Sequence, residues 1–71
     1  MKIENERYVL AKKNNNENMY ISEEYGLVND IREALKIRNI ITAQNLRHEI
    51  EVNYNLHLDI VPLKIVYMFD Y

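Results

Sequence analysis

Val61-Pro62-Leu63-Lys64-Ile65-Val66-Tyr67-Met68-Phe69-Asp70-Tyr71 alternates with period two. Side chains of a β-strand point alternately to its two faces, so Val61, Leu63, Ile65, Tyr67, Phe69 and Tyr71 share one wholly apolar side. Pro62, Lys64, Val66, Met68 and Asp70 share the other, which is partly apolar. Immediately upstream, Leu56, Leu58 and Ile60 alternate in the opposite phase. That slip predicts a bend or bulge at Ile60-Val61-Pro62. Proline cannot donate to a ladder, so Pro62 belongs at a strand start or on an edge. A strand with one apolar and one half-apolar face calls for helices on the first and a further cover for the second.

Working backward, Ala43, Leu46, Ile50 and Tyr54 recur at helical spacing. Opposite them stand Gln44, Asn45, Arg47, His48, Glu49 and Glu51, which predicts an amphipathic helix over 42–54 with Thr42 as its N-cap. Arg38-Asn39-Ile40-Ile41 reads as an interruption before it. Ile31, Ala34 and Leu35 form a shorter stripe, and Asp30 with Glu33 resembles a capping box, so a first helix is expected over 30–37. Further upstream, two β-prone runs at 7–12 and 18–22 flank an Asn-rich stretch that can turn without glycine, which predicts a β-hairpin. Gly26, the single glycine, marks the change of direction out of it. The expected fold is α+β: a small, mainly antiparallel sheet of three to four strands with two helices on one face, in the order β-β-(short β)-α-α-β.

Seventy-one residues make one domain, and a chain of this size buries only roughly 60% of the surface it exposes when unfolded. Without cysteine there are no disulfides, no thiolate nucleophile and no Cys-containing zinc site. The core must therefore rest on apolar burial, supplied by the 48% of residues that are hydrophobic, or on a partner subunit. Nine Lys and Arg against eleven Asp and Glu give a net charge of −2. This is the wrong balance for a basic nucleic-acid-binding domain, and it argues against direct nucleic-acid contact. No stretch approaches the roughly 18–20 apolar residues of a membrane span. The acidic residues Glu4 and Glu6 near Met1 do not suit a signal peptide. The expectation is a cytoplasmic protein without membrane contact.

Catalytic constellations are hard to assemble from what is present. His48 lies on the polar helix face and His57 nine residues away, a spacing that matches no metal-ligand motif. Glu23 and Glu24 are sequence neighbours, and Glu49 and Glu51 diverge by about 200° around a helix, so neither pair converges as an acid/base dyad. One glycine cannot build a phosphate-binding loop. No cofactor, no metal and no enzymatic activity are expected. Six tyrosines are the more informative feature, because a tyrosine combines apolar area with a polar tip suited to recognition. Tyr67 is expected in the core. Tyr8, Tyr20 and Tyr25 are expected to form an aromatic cluster across the hairpin. With Glu23, Glu24 and Arg47 they make up the expected partner-binding set.

Four segments carry a resemblance: Tyr8-Val9-Leu10-x-Lys12, Tyr20-Ile21-Ser22-x-x-Tyr25-Gly26, Asp30-Ile31-x-Glu33-Ala34 and Ile60-Val61-Pro62-Leu63-Lys64-Ile65. In these the chain resembles small phage and prophage accessory proteins of Gram-positive bacteria. The resemblance implies a protein that binds and blocks a host protein, a defence nuclease such as a CRISPR effector or another nucleic-acid-processing complex among them. It carries over no functional residue. The rival expectations are a small dimeric nucleic-acid-binding or regulatory module, using Arg47 and His48 with Arg32 and Arg38, and an acidic mimic of nucleic acid. Finally, two helices cannot cover both faces of the last strand. A homodimer is therefore expected through that strand or the helical face, with Val66, Met68 and Tyr71 at the interface.

Overall fold

A long antiparallel ribbon organises the molecule. The computed structural model describes residues 2–14 and 17–68. Strand β1 (Lys2–Asn14) runs alongside β4 (Asp59–Met68), with β2 (Glu17–Ile21) and β3 (Leu27–Val28) added on the other side. The four-stranded sheet has the order β3-β2-β1-β4, every pair antiparallel. Among the described residues a single α-helix, α1 (Ile40–Tyr54), packs on it. The α+β class, the hairpin, the short third strand and the edge position of Pro62 agree with the sequence reading. Asn15 and Asn16, at the centre of the expected turn, lie outside the described residues.

The expected first helix is reduced to one 3₁₀ turn, Ile31–Glu33. Its N-cap is the expected one: Asp30 accepts a hydrogen bond from the Arg32 N–H at 2.9 Å. The Glu33 N–H, however, donates to the Asp30 carbonyl rather than completing a side-chain box. What stops the helix is competition for backbone groups. The Leu35 N–H donates to Ile21 O at 2.8 Å, and Tyr8 and Ile37 exchange both of their backbone hydrogen bonds at 2.7 and 2.8 Å. Ala34 and Ile37 are thereby buried from an extended segment, which satisfies the same apolar residues that suggested a helix. Propensity over eight residues is a weak preference beside such tertiary pairing.

The second helix begins two residues earlier than expected. Asn39, not Thr42, caps it, with Oδ1 accepting from the Ile41 N–H at 2.8 Å. Ile40 and Ile41 therefore open the helix instead of interrupting the pattern. Its last residue, Tyr54, is the one expected, and Asn55 after it takes the left-handed conformation (φ 53°, ψ 41°) that closes many helices. Ala43 and Ile50 are buried and Leu46 half-buried, but Tyr54 is exposed and leaves the expected stripe.

The faces of the sheet are exchanged relative to the sequence reading. In register, Leu10 faces Ile60 and Val9 faces Val61. The core beneath α1 consists of Leu10, Ile21, Ile37, Ala43, Ile50 and Leu58, with Tyr8, Leu35, Leu46, Leu56 and Ile60 packed against it. The helix thus covers the phase of Ile60, not that of Val61, Leu63, Ile65 and Tyr67. The expected bulge is absent as well, because the β1–β4 register runs unbroken from Asp59 to Met68. The phase change in the sequence marks a change in what covers the strand. Near Leu58 and Ile60 the helix side is apolar; beyond Pro62 the opposite side is.

Candidate functional site

Strand length makes the site. At about 3.4 Å per residue, a thirteen-residue strand reaches roughly 44 Å, while a fifteen-residue helix spans only about 22 Å. The ribbon therefore overhangs the helix, and the molecule is 48 Å in its longest dimension and 19 Å in its shortest. Residues 2–7 and 63–68 form a two-stranded arm with no fully buried side chain.

The arm has two unlike faces. On the helix side, Glu4 bridges Lys2 at 2.8 Å and Lys64 at 3.0 Å, tying β1 to β4 through an exposed carboxylate. Hydrogen bonds from Lys2 and then Lys64 hold the Glu4 carboxyl below the ordinary carboxylate range. The other side carries Ile3 opposite Tyr67, Asn5 opposite Ile65 and Arg7 opposite Leu63. Leu63 and Ile65 are half-buried, whereas Ile3 and Tyr67 are 41% and 50% exposed. Val61 continues this apolar side toward the body of the sheet, where Val9 and Ala11 are buried. Among the described residues the two edges of the arm are also free: β4 is the last strand of the sheet, and β2 pairs β1 only from Ala11 onward.

Of the expected dimer residues, Val66 and Met68 lie on this arm, 44% and 73% exposed, on the charged side among Lys2, Glu4 and Lys64. Tyr71 lies outside the described residues. Tyr67, expected in the core, is instead part of the open apolar side. The sequence signal for the arm was present in the alternation of 61–71. What was missing was the register, which alone decides the side that α1 takes.

The expected tyrosine cluster does not form. Tyr8 stands on the face of Leu10 and packs against the core, while Tyr20, opposite Ala11, projects from the other face. Tyr25 sits in the turn after β2, with its N–H donating to Ser22 O and its φ at 63°. The left-handed residue of this turn is thus Tyr25, not the neighbouring glycine. That strain presents an exposed ring at the rim of a shallow groove of about 460 Å³, floored by Leu35, Ile37 and Leu46. Glu23 and Glu24 border a separate depression with Arg32 and Lys36, so their charges are opposed locally rather than gathered into an acidic patch. Arg47 is exposed on α1, away from both features. The structure therefore disperses the expected partner-binding set.

No family model, no curated protein and no solved structure matches this chain.

The remaining polar groups show local pairing. Arg32 forks onto both carboxylate oxygens of Asp30, at 2.8–3.1 Å, which lowers the Asp30 carboxyl and raises the guanidinium. Arg32 is thus paired within its own turn. His57 Nδ1 lies 3.2 Å from Glu51, a contact that ties the end of α1 to the approach of β4. Among the described residues no group of His, Asp and Glu is arranged to hold a metal ion. Among the described residues no helix is long and apolar enough to cross a membrane.

Proposed function

We propose that this chain is a non-enzymatic binding module that meets a protein partner through the apolar side of its β1–β4 arm. The observation carrying this reading is the overhang itself. Ile3, Leu63, Ile65 and Tyr67, with Asn5 and Arg7 between them, line one side of a ribbon that extends past the helix, while Lys2, Glu4 and Lys64 are interspersed with Val66 and Met68 on the other. Folding alone gains little from an apolar face left open to water, whereas contiguous apolar surface flanked by polar groups suits recognition. Tyr67 is the natural anchor, a large ring with a hydroxyl that can find a partner at an interface. The resemblance to phage accessory proteins supplies the class of partner: a host protein, inhibited or redirected by stoichiometric binding.

The test is affinity capture from host lysate with the wild-type chain and with Tyr67→Lys in parallel. Both proteins must show the same circular dichroism spectrum and unfolding midpoint. A host protein retained stoichiometrically by the wild type and lost with Tyr67→Lys supports the reading. Equal retention by both would remove the arm from it, and no retained protein would remove the function. A nucleic-acid module predicts instead a gel shift that weakens steeply as salt rises, with no effect of Tyr67→Lys.

A further inference from the structure

We propose that the outer edge of β4 pairs antiparallel with the same edge of a second copy of this chain, about a twofold axis through Val66. This goes beyond the binding role above. It concerns how two copies complete one sheet, whatever partner the apolar side meets.

The direction of the backbone groups is fixed by one residue. Tyr8 exchanges both of its backbone hydrogen bonds with Ile37, on the side of β1 away from β4. Tyr8 lies opposite Pro62, so this is a pair without mutual hydrogen bonds, and the backbone groups of Pro62 point off the sheet. Direction alternates along a strand, so Lys64, Val66 and Met68 also aim their N–H and C=O groups outward. Pro62 is the one outward position without a donor, and an edge tolerates it.

Those groups admit few self-pairings. Odd offsets would set an outward residue against an inward one and reverse the faces. A twofold axis at Lys64 places two ammonium groups opposite each other and demands the missing donor of Pro62. An axis at Ile65 makes that same demand of Pro62, against Met68 of the second copy. An axis at Val66 avoids both faults. Val66 then exchanges hydrogen bonds with Val66 of the second copy, and Lys64 does so with the second copy's Met68, leaving Pro62 outside the Lys64–Met68 ladder.

Side chains agree with this register. Ile65 falls opposite Tyr67 of the second copy on the apolar side, a β-branched and aromatic pair of the kind that stabilises antiparallel strands. On the other side the exposed Val66 meets its own copy, and the stem of Lys64 lies beside Met68. The Lys64 ammonium keeps Glu4 of its own chain, 3.0 Å away. The axis stands perpendicular to the sheet, so both helices lie on one side and the two apolar arm surfaces join on the other. Edge strands that remain unpaired are usually shortened, charged or covered, and β4 beyond Pro62 carries a single lysine.

Cysteine scanning tests the register directly, because the chain has no cysteine of its own. Single substitutions Lys64→Cys, Ile65→Cys, Val66→Cys, Tyr67→Cys and Met68→Cys are oxidised under dilute, mild conditions. Val66→Cys is expected to give the highest yield of covalent dimer, several-fold above its neighbours. Maximum yield at Ile65→Cys or Tyr67→Cys would mean that the twofold axis lies there or that the arms stack face to face, and either result overturns the pairing about Val66. Val66→Pro provides the second arm of the experiment. It removes only an outward N–H, at the phase where Pro62 is already accommodated, and is expected to shift sedimentation to the monomer while the circular dichroism spectrum is kept. A wild-type chain that sediments as a monomer at millimolar concentration, or whose mass rises without limit through β1-to-β4 contacts, would overturn the proposal.

Discussion

Replacing Ile50 and Ile41 by alanine, one at a time, puts the position of α1 to a direct test. Both are isoleucines on the same helix, so the chemistry removed is identical. Ile50 is 3% exposed and belongs to the core with Leu10 and Leu58, whereas Ile41 is 62% exposed in the first turn. Truncation of Ile50 removes three carbon groups from an apolar site. At about 0.8 kcal/mol per buried CH₂ this costs about 2.4 kcal/mol, and incomplete collapse of the cavity brings the total to about 3 kcal/mol. A chain of seventy-one residues has only about 4–10 kcal/mol in all, so the variant is left with a fraction of its stability. For Ile41 almost no burial is lost, and alanine is the better helix former, so the change stays within about 0.5 kcal/mol of zero. Urea unfolding followed by far-ultraviolet circular dichroism reads both. With a slope of about 1 kcal/mol per molar for a domain this small, Ile50→Ala lowers the midpoint by about 3 M and Ile41→Ala leaves it in place. Protein concentration must be held fixed, since association would raise the apparent stability of every variant. Equal losses for the two substitutions, or a larger one for Ile41, would mean that α1 presents a different face to the sheet.

Further outcomes concern the caps, the turn and the arm. Asn39→Ala removes the acceptor of the Ile41 N–H and is expected to cost about 1 kcal/mol in the same urea assay, whereas Thr42→Ala, outside the cap, is expected to cost less than half of that. Asn55 is left-handed, so Asn55→Gly is tolerated, while Asn55→Val costs about 1–2 kcal/mol; equal midpoints for the two would contradict the closure of α1 at this residue. Tyr25→Gly relieves a positive φ and is expected to leave stability unchanged or raise it by up to about 1 kcal/mol, so a loss above that size would reveal packing by the ring. Glu4 has its carboxyl pKa lowered in the folded chain by Lys2 and Lys64. Its contribution is therefore present above the ordinary carboxylate range and is lost as pH falls through the lowered value. The melting temperature of the wild type should exceed that of Glu4→Gln at neutral pH and converge with it in acid, and a gap that widened in acid would refute the bridge.

Much of the architecture was readable in the chain because it depends on neighbours in sequence. The alternation from Val61 onward, the helical spacing of Ala43, Leu46 and Ile50, the cap at Asp30 and the closure at Asn55 are local properties of period and backbone preference. Absence of cysteine and the near balance of charge likewise follow from composition. Three decisions were tertiary. Residues 34–37 gave up a helix because Ile21 and Tyr8, distant in sequence, offered their backbone groups a ladder. Asn39 took the cap from Thr42 because the extended segment ending at Ile37 fixes where the chain can turn into α1. Above all, the side of β4 that the helix covers was set by register. Both phases of that stretch hold apolar residues, Leu58, Ile60, Val66 and Met68 in one, interrupted by Pro62 and Lys64, and Val61, Leu63, Ile65 and Tyr67 in the other, uninterrupted. Period alone ranks the uninterrupted phase as the core. Pairing Leu10 with Ile60 put the interrupted phase under α1 and left the other along an arm the helix is too short to reach, because a strand extends more than twice as far per residue as a helix.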